Sequence, residues 1–333
     1  MYATLKKLIP ARPSISGHES GIRAILTDLM RPFVDEISTD AMGNLICRRK
    51  GKGKDPRRVV LVAHMDEIGF VVNFIEESGL VRVAPIGGVS LRAATGCPVI
   101  FENGTRGVFC HHADVKGDQE IKPDVCFVDI GAKNRAEAAR RVHVGDGLAL
   151  TPHLFRLAGK RVAGRPLDDR IGCAVLVRIA ESLTDPVPEV DFVFSVQEEV
   201  GCRGARPAAF ALQPETVLAF DVTGTGDVPG ASHMAVKLGD GVAIKIKDAS
   251  VLCHQGLVAE LLATAKEKGI KAQSEVLLYG GTDTGAMQMT GAGCRAGALS
   301  VPCRYVHSGV ETLDLGDAEA AVALALAYLK AEA

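Results

Sequence analysis

Five segments place acids or imidazoles at the end of an apolar run or in the loop beside one. They are His64-Met65-Asp66-Glu67-Ile68-Gly69, Pro166-Leu167-Asp168-Asp169-Arg170, Ser195-Val196-Gln197-Glu198-Glu199-Val200-Gly201, Phe220-Asp221-Val222-Thr223 and Arg304-Tyr305-Val306-His307-Ser308. Open α/β sheets bind their ligands where strands end in this way. Taken singly, each acid reads equally as a helix cap or a surface charge. Drawn together, the carboxylates would repel one another and take up protons unless a cation neutralised them. With two imidazoles added, the set suits two divalent ions about 3.5–4 Å apart that share one carboxylate.

Such a site needs strands that deliver these residues to one place. VVLVAH, a continuous β-branched run ended by His64, reads as a strand buried on both faces, as in a parallel sheet. It follows a helix over Ser20–Met30, a hairpin turning at Asp40-Ala41-Met42-Gly43-Asn44, and a polar break, GKGKDPRR. Over residues 69–160 short strand-like runs (FVVNFI, LVRVAP, PVIFE, GVFC, VCFVDI) alternate with turn residues, the texture of a small β-barrel or sandwich. Beyond Arg165, strands (VDFVFSV, TVLAFD, VAIKI, SEVLL, RAGALSV) alternate with helices over 170–183, 205–212, 251–268 and from 317 onward. The expected fold is therefore α/β: a mixed, mostly parallel sheet flanked by helices, formed by residues 1–68 and 161–333. Residues 69–160 are expected as an inserted β-barrel through which subunits dimerise, because its edge strands need covering.

Composition narrows the partners. At 333 residues, 47% hydrophobic and 23% charged, the chain has core enough for a globular fold and is not disordered. A formal net charge of -2 leaves no basic excess for nucleic acid or an anionic membrane, so a small molecule or peptide is the expected partner. Nine cysteines, an odd and scattered set without a CxxC pair, read as reduced thiols and a cytoplasmic location. The first residues hold no apolar core of signal-peptide length. The longest apolar stretch, AAVALALAYL, is too short to span a bilayer, so a soluble protein is expected.

The segments HMDEIGF, GRPLDDRIG, SVQEEVGCRGA, FDVTGTGDVPG, YGGTDTGAMQ and PCRYVHS, in this order between residues 64 and 308, resemble the dinuclear metallo-aminopeptidases of the tetrahedral aminopeptidase and glutamyl aminopeptidase family. The resemblance implies that His64, Asp168, Glu199, Asp221 and His307 are metal ligands and that Asp168 bridges two ions. It implies that Glu198 is the general base, taking a proton from the attacking water and passing it to the leaving amine. Neighbouring residues of extended chain point opposite ways, so Glu199 can bind metal while Glu198 faces the substrate, a geometry unlike the opposed carboxyls of a glycosidase. Asp66, two residues after His64 and on the same side of the strand, is expected to accept the imidazole's second N–H and so assist catalysis from behind.

The same resemblance implies a cis peptide bond between Asp168 and Asp169, a substrate-side loop at Gly280-Gly281-Thr282-Asp283 (Gly281, Thr282 and Asp283 touching substrate), and dimers assembling into a hollow tetrahedral dodecamer. No cysteine occupies a matched metal position, so oxygen and nitrogen ligation by zinc, cobalt or manganese is expected. The expected activity is metal-dependent release of N-terminal residues from short peptides. Two other readings fit the residues: the same machinery acting as a deacylase or amidohydrolase on a non-peptide amide, and a non-catalytic peptide-binding protein.

Overall fold

Apolar runs that lack strict alternation make the centre of the sheet, because both of their faces are covered. The computed structural model describes residues 1–9, 12–51, 58–115, 119–184 and 188–331. Apart from Gly51 and Arg58, the polar break GKGKDPRR lies outside them. The chain opens with α1 (Tyr2–Leu8), α2 (Ser20–Met30), β1 (Glu36–Thr39), β2 (Leu45–Arg49) and β3 (Arg58–His64). Next come β4 (Gly69–Ile75), β5 (Val81–Ile86), α3 (Leu91–Ala94), β6 (Pro98–Phe101), β7 (Arg106–His111), β8 (Cys126–Asp129), α4 (Arg135–Ala138) and β9 (Gly147–Leu150). Then follow β10 (His153–Arg156), β11 (Arg161–Arg165), α5 (Arg170–Ser182), β12 (Glu189–Ser195), α6 (Ala205–Leu212), β13 (Thr216–Thr223) and β14 (Val242–Lys247). The chain ends through α7 (Gln255–Lys268), β15 (Ala272–Val276), α8 (Asp283–Gln288), β16 (Arg295–Arg304), β17 (Glu311–Asp314) and α9 (Leu315–Ala331).

An 11-stranded sheet runs in the order β1-β2-β12-β3-β13-β16-β17-β11-β10, with β14 pairing β15 and β16 off this path. Its middle is parallel: β3 lies between β12 and β13, and β13 also pairs parallel with β16. Alternate residues of β3 serve two cores. Val59, Leu61 and Ala63 join the cluster built with α1, α2, α5, α7 and α9, whereas Val60 and Val62 join the one built with α6 and α8. That two-sided burial is why VVLVAH shows no polar alternation. AAVALALAYL belongs to α9, whose Leu324, Ala325, Tyr328 and Leu329 are buried in the larger cluster. Among the described residues no helix is long and apolar enough to cross a membrane.

Strands β4 to β9 close into a barrel in the order β4-β5-β8-β7-β6-β9. Phe70 and Phe109 stack inside it with ring centroids 4.7 Å apart, among Val72, Val81, Phe101 and Leu148. One difference concerns the reason for a subunit contact: the strands form a closed ring, with β5 and β8 joined through Val81 and Val128, so edge covering by itself asks little of a partner. A second difference lies at its end: β10, placed in the insert by the sequence reading, pairs antiparallel with β11 and extends the large sheet. Replacing the stacked ring should cost the barrel its packing. Phe109→Ala is expected to lower stability by about 3–5 kcal/mol, read as a fall in the urea midpoint of the full chain.

Candidate active site

Three adjacent parallel strands finish side by side, so whatever follows them shares one opening. Ser195 of β12 stands opposite His64 of β3 in the parallel register, and Asp221 lies near the end of β13. Asp168 comes from the loop after β11, Glu198 and Glu199 from the turn after β12, and His307 from the loop between β16 and β17. The potential ligand atoms of His64, Asp168 and Asp221 lie within 4.8 Å of one another, as do those of Asp168, Glu199 and His307. Asp168 belongs to both triplets. Its Oδ1 is 3.0 Å from His64 Nε2 and its Oδ2 is 3.3 Å from His307 Nε2. His307 Nε2 also lies 3.1 Å from Glu199 Oε2, and His64 Nε2 lies 3.9 Å from Asp221 Oδ1.

The electrostatics are those of a site that wants cations. Burial pushes the Asp221 and Glu198 carboxyls well above their ordinary range and raises Glu199 less, its burial being opposed by His307. For Asp168 burial acts upward as well, but hydrogen bonds from His307 and His64 outweigh it and hold its carboxyl below the usual range. Both imidazoles are driven up despite burial, His64 by Asp168 and Asp66, and His307 to about 11 by Asp168 and Glu199. Shifts in this direction are what crowded carboxylates and imidazoles show where no cation offsets the negative charge. All donors in the two triplets are oxygen or nitrogen, the chemistry of borderline divalent ions.

Two buried carboxylates hold this arrangement from behind. Asp66 Oδ1 lies 3.5 Å from His64 Nδ1, and the Asp66 carboxylate accepts from Ser16 Oγ at 2.7 Å, Glu198 N at 3.0 Å and Glu199 N at 3.3 Å. It thus lies between the imidazole on β3 and the backbone of the glutamate pair. That pair is not on extended chain. β12 stops at Ser195, Gln197 has φ 57°, and the two glutamates begin a turn. Their side chains nevertheless part: Glu199 joins Asp168 and His307, while Glu198 joins Cys202 and Asp283 and accepts from Cys202 Sγ at 3.3 Å.

The second carboxylate, Glu311, went unnoticed in the sequence. Its Oε2 accepts from Leu167 N at 2.6 Å and Asp168 N at 3.1 Å, and its Oε1 from His307 N at 3.3 Å. One buried side chain therefore fixes the two segments that carry Asp168 and His307. β17 is short and reads Glu-Thr-Leu-Asp, so no apolar run marked this acid out in the sequence. The Asp168–Asp169 peptide is cis, and Asp169 turns away from the cluster to cap α5, accepting from Gly172 N at 2.9 Å.

A cavity opens over the cluster. Gly280, Gly281 and Thr282 line it. Asp283, expected beside them, does not: it is buried beneath and accepts from Ser195 Oγ. The barrel reaches the site as well. A Cβ on Gly88 would come 2.9 Å from His307 Nδ1, and one on Gly87 3.2 Å from Glu199 Cβ, so the segment after β5 tolerates no side chain there.

The sequence model of the M42 glutamyl aminopeptidase family matches residues 43–324. The chain belongs to that family. It is 35% identical over 341 residues to the lysyl aminopeptidase of Pyrococcus furiosus, covering 99% of this chain and 96% of that one. An aminopeptidase structure from the archaeon Desulfurococcus kamchatkensis superposes with a TM-score of 0.94 at 33% identity, over 99% of this chain and 94% of that one. The TET1 peptidase of Pyrococcus horikoshii, described as assembling into a tetrahedron or a large octahedral shell, gives a TM-score of 0.87 at 35% identity over 98% of each chain. This protein is thus a metal-dependent aminopeptidase, a hydrolase of peptide bonds, and the reading as a non-catalytic binding protein falls away.

Because Glu311 anchors both segments by backbone contacts alone, its loss should loosen the M42 aminopeptidase's grip on metal without removing a donor. Glu311→Ala is expected to weaken cobalt binding about 10–100-fold, measured by calorimetric titration of the metal-free chain. Glu311→Gln, which keeps one accepting oxygen, should lose less.

Proposed function

We propose that His64, Asp168 and Asp221 hold one divalent ion, that Asp168, Glu199 and His307 hold a second, and that Glu198 is the general base of peptide hydrolysis at this pair. The observation that carries the reading is Asp168, which turns one carboxylate oxygen toward each triplet. The ions, when bound, would polarise the scissile carbonyl and acidify the attacking water. The chain's own groups do the rest. Asp66 holds the His64 ring so that Nε2 faces inward, and with Glu311 it keeps the backbone of the other donors in place. Glu198 Oε1, kept clear of both triplets and beside Cys202, receives the water's proton and returns it to the leaving amine. Gly280 and Gly281 let the backbone of a short peptide approach the cluster.

Zinc, cobalt and manganese all suit the donor set. The subunits form a homo-oligomer, and a tetrahedral dodecamer is the expected form, by likeness to solved relatives described as a dodecamer and as a tetrahedron or a large octahedral shell. Nine free cysteines accord with a cytoplasmic, reducing setting.

The neighbouring glutamates separate the roles. Glu198→Gln should keep bound metal while lowering turnover roughly 10²–10⁴-fold; Glu199→Gln should first lose occupancy at one site and recover in part at high metal concentration. Metal per subunit measured beside turnover decides. If Glu198→Gln is the variant that loses metal and Glu199→Gln stays replete but inactive, the roles are exchanged. Dialysis against a chelator should abolish hydrolysis, and added cobalt, manganese or zinc should restore it. Undiminished turnover in a preparation that elemental analysis shows to be metal-free would refute the dinuclear reading.

A further inference from the structure

The cavity over the cluster has a volume of 460 Å³. Every acid that lines it is either a proposed ligand or Glu198, and among the described residues no lysine or arginine does. The remaining wall is Val222, Leu277 and Val306 set among glycines, with Cys202, Thr223 and Thr282 as its polar members. Those three already donate to the protein: Cys202 to Glu198, Thr223 to Glu275 at 2.8 Å and Thr282 to Thr284 at 2.8 Å. The buried cation behind this wall, Lys245, is engaged with Glu275 and with Asp248 at 3.4 Å. Leu277 and Gly224 also line an adjoining cavity of 220 Å³, whose walls are mixed: Met234, Val276 and Leu278 stand with Ser232, His233 and Tyr279.

A charged side chain entering such a space gives up water and meets no uncommitted counter-charge. An apolar one displaces water from apolar wall, which is favourable. We infer that this aminopeptidase selects peptides whose first residue is neutral and apolar, of leucine or methionine size, and that Leu277 is the wall residue that discriminates against charge. The inference rests on the acid cluster being the hydrolytic site. It sets this chain apart from the acidic residue named in its family's description and the basic one named for the P. furiosus relative.

The test uses the metal-replete enzyme and the p-nitroanilides of leucine, methionine, glutamate and lysine. The kcat/KM for leucine and methionine should exceed that for glutamate and lysine by at least about 10-fold. In Leu277→Arg the leucine-to-glutamate ratio should fall by about 10-fold or more, and in Leu277→Asp the leucine-to-lysine ratio should fall likewise. Leu277→Ala, a milder change, should lower leucine relative to alanine anilide and reads the same wall if the charged variants do not fold. Glutamate or lysine cleaved as well as leucine by the unaltered enzyme overturns the inference and leaves the hydrolytic site standing. Ratios unchanged in a folded Leu277 variant overturn the assignment of that residue. Cleavage of none of the four anilides, nor of any dipeptide, overturns the hydrolytic reading instead.

Discussion

Negative charge crowded out of water at the mouth of a parallel sheet is the constraint around which this molecule is arranged. A buried carboxylate is costly unless it is paired or hydrogen-bonded. Asp66 and Glu311, both buried, meet that requirement by accepting backbone N–H groups. Asp169 meets it in part, one oxygen capping α5 while burial drives its carboxyl well above the ordinary range. Asp168, Glu199 and Asp221 do not meet it from the protein backbone alone, and they gather with His64 and His307 where the proposed cations would neutralise them. Carboxylates thus fall into two layers. The outer layer is left electrostatically incomplete, and the inner layer is satisfied so that it can hold the outer one still.

The sheet makes such placement possible. β3, β12 and β13 are buried on both faces, so their ends are set by packing on two sides. Loops from three further places then converge on that fixed edge, and each is tied down by a polar contact to a distant segment. Arg165, itself buried, donates to Ser308 O at 3.0 Å and lies 3.3 Å from Glu67, linking the loop of His307 to the end of β3. Asn44 holds the turn after β12, receiving Val196 N and donating to Gly204 O, both at 2.9 Å.

Elements whose signal is local were legible in the sequence. The helix over Ser20–Met30 keeps its apolar face at Ile22, Leu26 and Met30, and the unbroken run ending at His64 declares its two-sided burial. The acids at strand ends were visible because position and residue type coincide there. What periodicity could not report is contact across long stretches of chain. The Glu198–Glu199 pair reads as extended chain, yet a positive φ at Gln197 and the carboxylate of Asp66 make it a turn. Glu311 sits in a short strand and gains its meaning only when Asp168 folds back against it. The inserted barrel itself was legible as a run of short strands between turn residues, whereas the pairing of β4 with β9 that closes it was not.

That last pairing bears on how the molecule can be folded and altered. Phe70 sits opposite Leu148, so the chain leaves the large sheet after β3 and comes back beside its point of departure. Joining distant parts of a chain ordinarily costs entropy that grows with the length between them. Here the strands of the barrel meet that cost through their own packing, and His64 and Asp168 are brought together as though by a short rigid connector. The barrel's outer turns are free to lengthen or shorten without stretching that connector. Change at Gly87 and Gly88, where the barrel touches the acid cluster, is the exception.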